Sequence, residues 1–370
     1  MRTSKRFAVH TLRHRIGQFA TLGVFGIALI GAAAARADTA DFNRRGNMLI
    51  SDQFNNRVIE VDHAGNIVWQ FGVGPNDVSA KSVVGVNDAQ RVGRSTLIAG
   101  TGAPAGSEPA CAGGCADNRV LLVSRHGHIL WQYGQFGVTG AGPNELNTPV
   151  QNTWTPDQTV LITDQGNQRI IEVDLDKKIL WQYGQTGVAG IGPNQLNNPN
   201  SAELLENGHI LISDENNNRA IEVDRNHKLI ATFTAGGSVS GVAFASRLEN
   251  GHTLLTDSNN NRVVEVDADD HPVWQYVTNT QSGSNPAPLP TRAIRTRDGG
   301  TIISDQFNHR VIVVNSAGHI VASFGNLNAP GFGPRTARQG LNAPYDAKRI
   351  GDFTGLTAPF DDDDSHGDDR

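Results

Sequence analysis

Cysteine is almost missing from this 370-residue chain: it has two, Cys111 and Cys115, four positions apart in CAGGC. Two thiols cannot build a disulfide scaffold or a four-cysteine zinc site. Charge is sparse as well, at 18% of residues, and no block of Lys or Arg occurs in the body of the chain. A phosphate-facing basic stripe is absent with it, which excludes nucleic acid held by such a surface. Histidine is thin, and most of it (His63, His126, His128, His209, His227, His252, His271, His309, His319) falls in turns rather than in a ligand set. No nucleophile–base pair, phosphate-cradling glycine loop or carboxylate pair follows from spacing. What is plentiful is glycine, 41 residues, beside an apolar share of 38%. That composition lies in the globular range.

One long apolar run is present, Phe19 to Ala35. It follows Arg2, Lys5, Arg6, Arg13 and Arg15 and precedes Ala35-Arg36-Ala37. A basic start, an apolar middle and a small-x-small site read as a secretory signal peptide over residues 1–37. Cleavage there lowers Lys+Arg from 31 to 25 against 37 Asp+Glu, a formal charge of −12. Export to the periplasm or beyond permits a disulfide, and two glycines between Cys111 and Cys115 allow the tight loop it needs.

The remainder repeats. MLISDQFNNRVIEVDHAGNIVWQFG (48–72) recurs at 160–184, 210–234, 253–277 and 301–325, and a sixth copy is split between 96–102 and 117–134 by an insertion, 103–116, that carries both cysteines. A period of about 43–50 residues fits propeller blades. Each unit reads as three β-rich strands bounded by Asn, Asp and Gly turns. A fourth strand precedes the units at 87–92, 151–156, 200–205, 242–248 and 291–296. The first unit lacks one, but PYDAKRIGD (344–352) has the fourth-strand pattern with no unit after it. The expected fold is all-β: a six-bladed β-propeller of four-stranded blades over residues 38–355, its ring closed by the C-terminal strand pairing into the N-terminal blade. The acidic end, residues 356–370, is expected to be a disordered tail.

The loops YGQFGVTGAGPNELNTP (133–149) and YGQTGVAGIGPNQLNNP (183–199), each followed by strand–Asp–Asn–Arg–strand, resemble NHL repeats across roughly residues 46–352. The resemblance implies a six-bladed propeller. A more local likeness, at 87–99 and 200–213, is to arylsulfotransferase-like propellers, whose catalytic His lies near the start of such strands. The corresponding residues here are Asn87, Val150, Asn200, Ala243, Thr291 and Tyr345, none of them His. A lyase-like relative would need several His ligands for zinc, and these cannot be placed.

Five repeated Asp/Arg pairs, Asp52/Arg57, Asp164/Arg169, Asp214/Arg219, Asp257/Arg262 and Asp305/Arg310, read as blade cement, and the recurring Trp69, Trp131, Trp181 and Trp274 as inter-blade packing. Non-repeated polar residues on inner strands are the candidate ligand-binding set: Asn87, Asp88, Gln151, Asn200, Arg292, Tyr345 and Asp346, with Thr291 beside them, and a second tier of Arg91, Arg247, Arg295 and Arg349. Four converging guanidiniums suggest a channel for a small anion. Asp88, Asn200 and Asp346 could instead hold calcium, as in gluconolactonase-like sites; otherwise no cofactor or metal is expected. A disulfide-pinned 103–116 loop suggests a lid on the loop face. The functional expectation is a monomeric exported module that binds a protein or a small ligand through its inter-blade loops. The alternative is a propeller enzyme, arylsulfotransferase-like or lyase-like, with its site at the channel mouth.

Overall fold

The computed structural model describes residues 41–360, so the expected signal peptide at 1–37 and most of the expected acidic tail, 361–370, lie outside the described residues. Six four-stranded antiparallel sheets make the blades of a propeller. Each sheet begins with an inner strand: Val86–Val92 in blade 2, Pro149–Trp154 in blade 3, Pro199–Leu204 in blade 4, Val242–Arg247 in blade 5 and Arg292–Arg295 in blade 6. Blade 1 takes its inner strand from the far end of the chain. Pro344–Arg349 pairs antiparallel with Met48–Asp52, setting Ile50 opposite Ala347 and Leu49 opposite Lys348. Closure therefore leaves Met48–Asp52 paired on both sides rather than standing as an open edge. Among the described residues no helix is long and apolar enough to cross a membrane.

The core is six seams rather than one centre. Met48, Ile50, Ile59 and Val61 of blade 1 pack on Ile302, Val311, Val313 and Phe324 of blade 6, and five further apolar clusters fill the other junctions. Strands buried on both faces by neighbouring blades read as nearly continuous Val, Ile and Leu, as these do.

The repeated Asp and Arg are cement. In blade 3 the Arg169 Nε and the Asn167 Nδ2 both donate to Asp164 Oδ2, each at 2.8 Å, and Asp164 Oδ1 accepts from the Asn147 backbone N–H of the incoming loop at 2.8 Å. The residue between Asn and Arg is left-handed (Asn56, Gln168, Asn218, Asn261 and His309, φ 50–59°), a conformation Asn tolerates well. Blade 2 keeps the clasp by a swap. Gly100 stands where the other blades have Asp, and Asp117, two residues before Arg119, supplies the carboxylate. A Cβ on Gly100 would meet that carboxyl at 2.6 Å, so the glycine and the displaced Asp require each other.

Four of the six seams have an outer latch of one kind or another. Trp69, Trp131 and Trp181 donate through Nε1 to the carbonyls of Arg125, Leu175 and Arg225 on the next blade, at 2.9, 2.9 and 3.0 Å. Blade 4 has Ala231 at this position. There Asp270 of blade 5 reaches back and accepts from the N–H groups of Thr234, Ala235 and Gly236 at 2.8–3.2 Å.

Candidate functional site

Strand register resolves the inner strands into tiers, because side chains alternate between channel and seam with a period of two. Nearest the loop face stand Asn87, Val150, Asn200, Ala243, Thr291 and Tyr345. Below them the register aligns Asp88, Gln151, Ser201, Phe244, Arg292 and Asp346, which face the channel. Two residues further on, the same face carries Gln90, Thr153, Glu203, Ser246, Ile294 and Lys348.

The middle tier is a buried charge network. Lys348 Nζ donates to Asp88 Oδ1 at 2.5 Å, to Asp346 Oδ2 at 2.7 Å and to the Ala89 carbonyl at 3.0 Å. Arg292 is 1% exposed, reaches Asp88 Oδ1 and Asp346 Oδ1 at 3.2 Å each, and stacks over the Phe244 ring at 4.4 Å. Burial alone would lower the Lys348 ammonium, but Asp346 and Asp88 beside it outweigh that and hold it above the ordinary lysine range. Gln151 Nε2 donates to Glu203 Oε1 at 2.7 Å while its carbonyl accepts from Ala202 N at 2.6 Å.

Both ends of this bore are shut by the protein itself. On the loop face the Tyr345 hydroxyl of blade 1 spans the axis to Asn200 of blade 4, diametrically opposite, with contacts of 2.9 and 3.1 Å. Asn200 passes the chain on to Glu215 at 2.8 Å, and burial raises the pKa of both Glu215 and Tyr345. An amide relay runs beside this bar: Gln306 Nε2 donates to Gln53 at 2.9 Å, and Gln53 Nε2 to Asn87 at 2.8 Å. At the base, Thr357 donates through its N–H and hydroxyl to Glu203 Oε2 at 2.9 and 2.7 Å and accepts from Gln90 Nε2 at 3.0 Å. The expected tail therefore starts too early at 356: Thr357 is buried and belongs to the fold.

The four second-tier arginines do not converge on the axis. Arg91, Arg247, Arg295 and Arg349 share a face with Ala89, Ala245, Ala293 and Ala347, one residue out of phase with the channel, and point into the seams. Arg91 meets Glu60 at 2.6 Å, Arg247 meets Glu222 at 2.9 Å and Arg295 meets Glu265 at 2.5 Å, each on the preceding blade. Their guanidiniums also stack over Trp69, Phe233 and Trp274. Arg349 pairs with Asp298 of blade 6 at 2.9 Å. The channel anion site expected from these four is corrected accordingly. Calcium fares no better: Asp88 and Asp346 are taken by Lys348 and Arg292, and Asn200 stands a tier above them. Among the described residues no group of three or more His, Cys, Asp or Glu could hold a metal ion.

Reading by residue type missed Gln90, Glu203 and Lys348. The signal was available: each lies two positions beyond Asp88, Ser201 or Asp346 on the same face. Nothing in the repeat announced Thr357.

The 103–116 insertion extends a hairpin in which Ala103 pairs with Cys115, and a disulfide joins Cys111 to Cys115. Its apolar side packs Cys111 and Ala103 against Val84 and Val78 of the blade 1–2 connection and against Phe136. Glu108 is tucked in beside Asn56, whose Nδ2 donates to Oε2 at 2.7 Å, while Oε1 has no partner. Burial without a cation pushes this carboxyl up to about 7. Protonation is thus favoured in the folded state, and the stabilisation present below the unfolded carboxyl range fades as pH rises through about 7. Amide protection factors over residues 103–116, taken against the intrinsic exchange rate at each pH, are expected to fall between pH 5 and 8, and Glu108→Gln to flatten that dependence; an unchanged profile in the variant would rule Glu108 out.

No protein-family model matches this sequence, and no curated protein does. Solved structures do. A protein of unknown function from Bacteroides caccae superposes with a TM-score of 0.54 at 14% identity, covering 79% of this chain and 97% of that one. Virginiamycin B lyase from Staphylococcus aureus gives a TM-score of 0.45 at 14% identity over 66% of this chain and 71% of that chain. A streptogramin B lyase gives 0.45 at 12% identity, with 77% and 74% covered. The chain is a six-bladed β-propeller. At these identities the likeness concerns the fold, and activity has to be argued from the site.

Proposed function

We propose that this chain is an exported binding module that engages a protein partner through the face built by its inter-blade connections. The observation that carries this reading is the shut bore. Tyr345–Asn200 and Thr357–Glu203 occupy its two ends, and the charged residues between them are matched to one another. A propeller so filled has rigid surface to offer rather than a reaction chamber.

The connections supply what a docking face needs. Two of them share one design. Thr139 bridges Leu146, and Ala189 bridges Leu196. Glu145 and Gln195 cap the N–H groups of Gly142 and Gly192 at 3.0 and 3.1 Å. These internal bonds pre-order the loops, which reduces the entropy lost on binding. They hold out apolar side chains, Ile191 at 64% exposed with Val138 and Val188 also exposed, and the neighbouring connections add Val73 and Phe332. Apolar groups on a polar, pre-ordered rim suit a protein surface.

A photo-crosslinking residue placed at Val138 or at Ile191 is expected to trap one partner of defined mass in the exported compartment, and Val188→Asp to abolish the Ile191 adduct. The same probe at Leu130 or Val273, exposed on outer strands, is expected to trap nothing comparable. Equal adducts from all four sites, or none from the loop sites, would overturn the reading.

A further inference from the structure

The base of the wheel, opposite the loop face and outside the bore, holds a cleft of about 320 Å³ at the junction of blades 6 and 1, lined by Arg45, Gly46, Arg297, Asp298, Arg349 and Asp352. Arg45 comes from the segment preceding Met48–Asp52, Arg349 ends the closing strand, and Arg297 sits in the turn between the first two strands of blade 6.

The repeat departs from itself at these positions. Register places Glu60, Glu172, Glu222 and Glu265 at one position of the third strand, opposite Leu49, Leu161, Leu211 and Leu254. Three of them pair with Arg91, Arg247 and Arg295 on the next blade. Blade 6 has Val313 there, opposite Ile302. Arg349 therefore meets no glutamate in its seam and turns to Asp298, at 2.9 Å. The blade 6 turn is also reversed in charge. The turns are closed by bonds from Leu205 N to the His209 carbonyl, Leu248 N to that of His252 and Thr296 N to that of Gly300. Arg297 thus stands where blades 4 and 5 carry Glu206 and Glu249.

The two carboxylates of the cleft are committed. Asp298 accepts from Thr296 Oγ1 at 2.5 Å and Gly300 N at 3.3 Å besides Arg349, and the bonds from Thr296 and Arg349 hold it ionised, at about 2. Asp352 accepts from Arg297 N at 3.0 Å and from the N–H and hydroxyl of Thr354 at 3.2 and 2.8 Å. Among the described residues the Arg45 and Arg297 guanidiniums form no ion pair, and Arg349 spends one nitrogen on Asp298. Arg45 lies along the wall because Gly351 lets it: a Cβ there would meet Arg45 Cγ at 3.0 Å. Three guanidiniums against two bonded carboxylates leave the cleft cationic in excess.

We propose that this cleft binds a phosphoryl dianion, free or as a phosphomonoester, between the guanidiniums of Arg45, Arg297 and Arg349. Guanidinium forks match phosphate oxygens, and a phosphomonoester offers three strong acceptors and close to two charges at neutral pH. The volume lies at the lower end of small-molecule sites, which leaves room for the group that carries the phosphate. The site is open to solvent, so its affinity falls with salt.

The test titrates phenyl phosphate into the chain at low ionic strength, read by calorimetry. Saturable binding at one site is expected. Arg297→Glu, which restores the residue type of blades 4 and 5, is expected to weaken it at least about tenfold with an unchanged melting midpoint, and Arg45→Ala to weaken it in the same direction. Arg94→Ala, in the corresponding turn of blade 2, is expected to leave it unchanged. Sedimentation with phosphatidylcholine vesicles, with and without phosphatidic acid, separates the sources: capture by phosphatidic acid that Arg297→Glu abolishes assigns a lipid headgroup, and phenyl phosphate binding without capture assigns a soluble phosphomonoester. No saturable binding of phenyl phosphate, binding that survives Arg297→Glu and Arg45→Ala, or an equal loss with Arg94→Ala would overturn the proposal.

Discussion

Lys348→Met is expected to destabilise the propeller by about 3–5 kcal/mol, the range for removing one partner of a buried ion pair. The Lys348 ammonium is the sole donor shared by Asp88, Asp346 and the Ala89 carbonyl, and all of these are buried. Its loss leaves Arg292 alone against two carboxylates that are both fully buried. The residual charge, more than the lost contact, sets the cost. A second change separates the two: Lys348→Met with Asp346→Asn should recover part of the loss, because one orphaned charge goes with it. Chemical denaturation of the three proteins measures both steps. A loss for Lys348→Met within about 0.5 kcal/mol, the range of an ordinary surface substitution, would mean that the network is not desolvated.

Removing the closing strand is expected to have a larger effect still. A chain ending at Leu341 loses Pro344–Arg349, and with it the fourth strand of blade 1, the Tyr345 bar, and both Asp346 and Lys348 of the charge network. Met48–Asp52 becomes an open edge, and the seam between blades 6 and 1 loses Ala347. The expected result is no cooperative transition and rapid proteolysis, together with self-association through the exposed edge. A chain ending at Phe360 keeps all of these contacts and should unfold as one unit. If the chain ending at Leu341 melted at the full-length midpoint, the ring would have to be closed by some other contact.

The architecture was legible because a propeller repeats its physics. Six copies of a strand–Asp–Asn–Arg–strand unit announce six equivalent turns, and the lone fourth-strand pattern at 344–352 pointed to closure. The clasp of Asp164, Asn167 and Arg169 could be expected from its fivefold recurrence; the swap of Gly100 for Asp117 could not, since it needs the register of blade 2. The candidate site was legible in part. Asp88, Arg292 and Asp346 stand out as non-repeated charges, and the structure brings them together. Arg91, Arg247, Arg295 and Arg349 stood out in the same way but point the other way, because one step along a strand exchanges channel for seam. Lys348 and Glu203 hid behind the more conspicuous neighbours of their own strands. Thr357 hid because an isolated polar residue before an acidic run has no periodicity from which burial could be read.

The shut bore is tested most directly by a double-mutant cycle between Tyr345 and Asn200, which are 145 residues apart in sequence and in contact only if the channel is bridged. Tyr345→Phe removes the hydroxyl and keeps the ring; Asn200→Ala removes its partner; the double variant closes the cycle. The expected coupling is about 1 kcal/mol, that of one buried hydrogen bond. Strict additivity, within about 0.3 kcal/mol, would mean that Tyr345 does not cross the axis, that the mouth stands open, and that the channel rather than the loop face is the place to look for function.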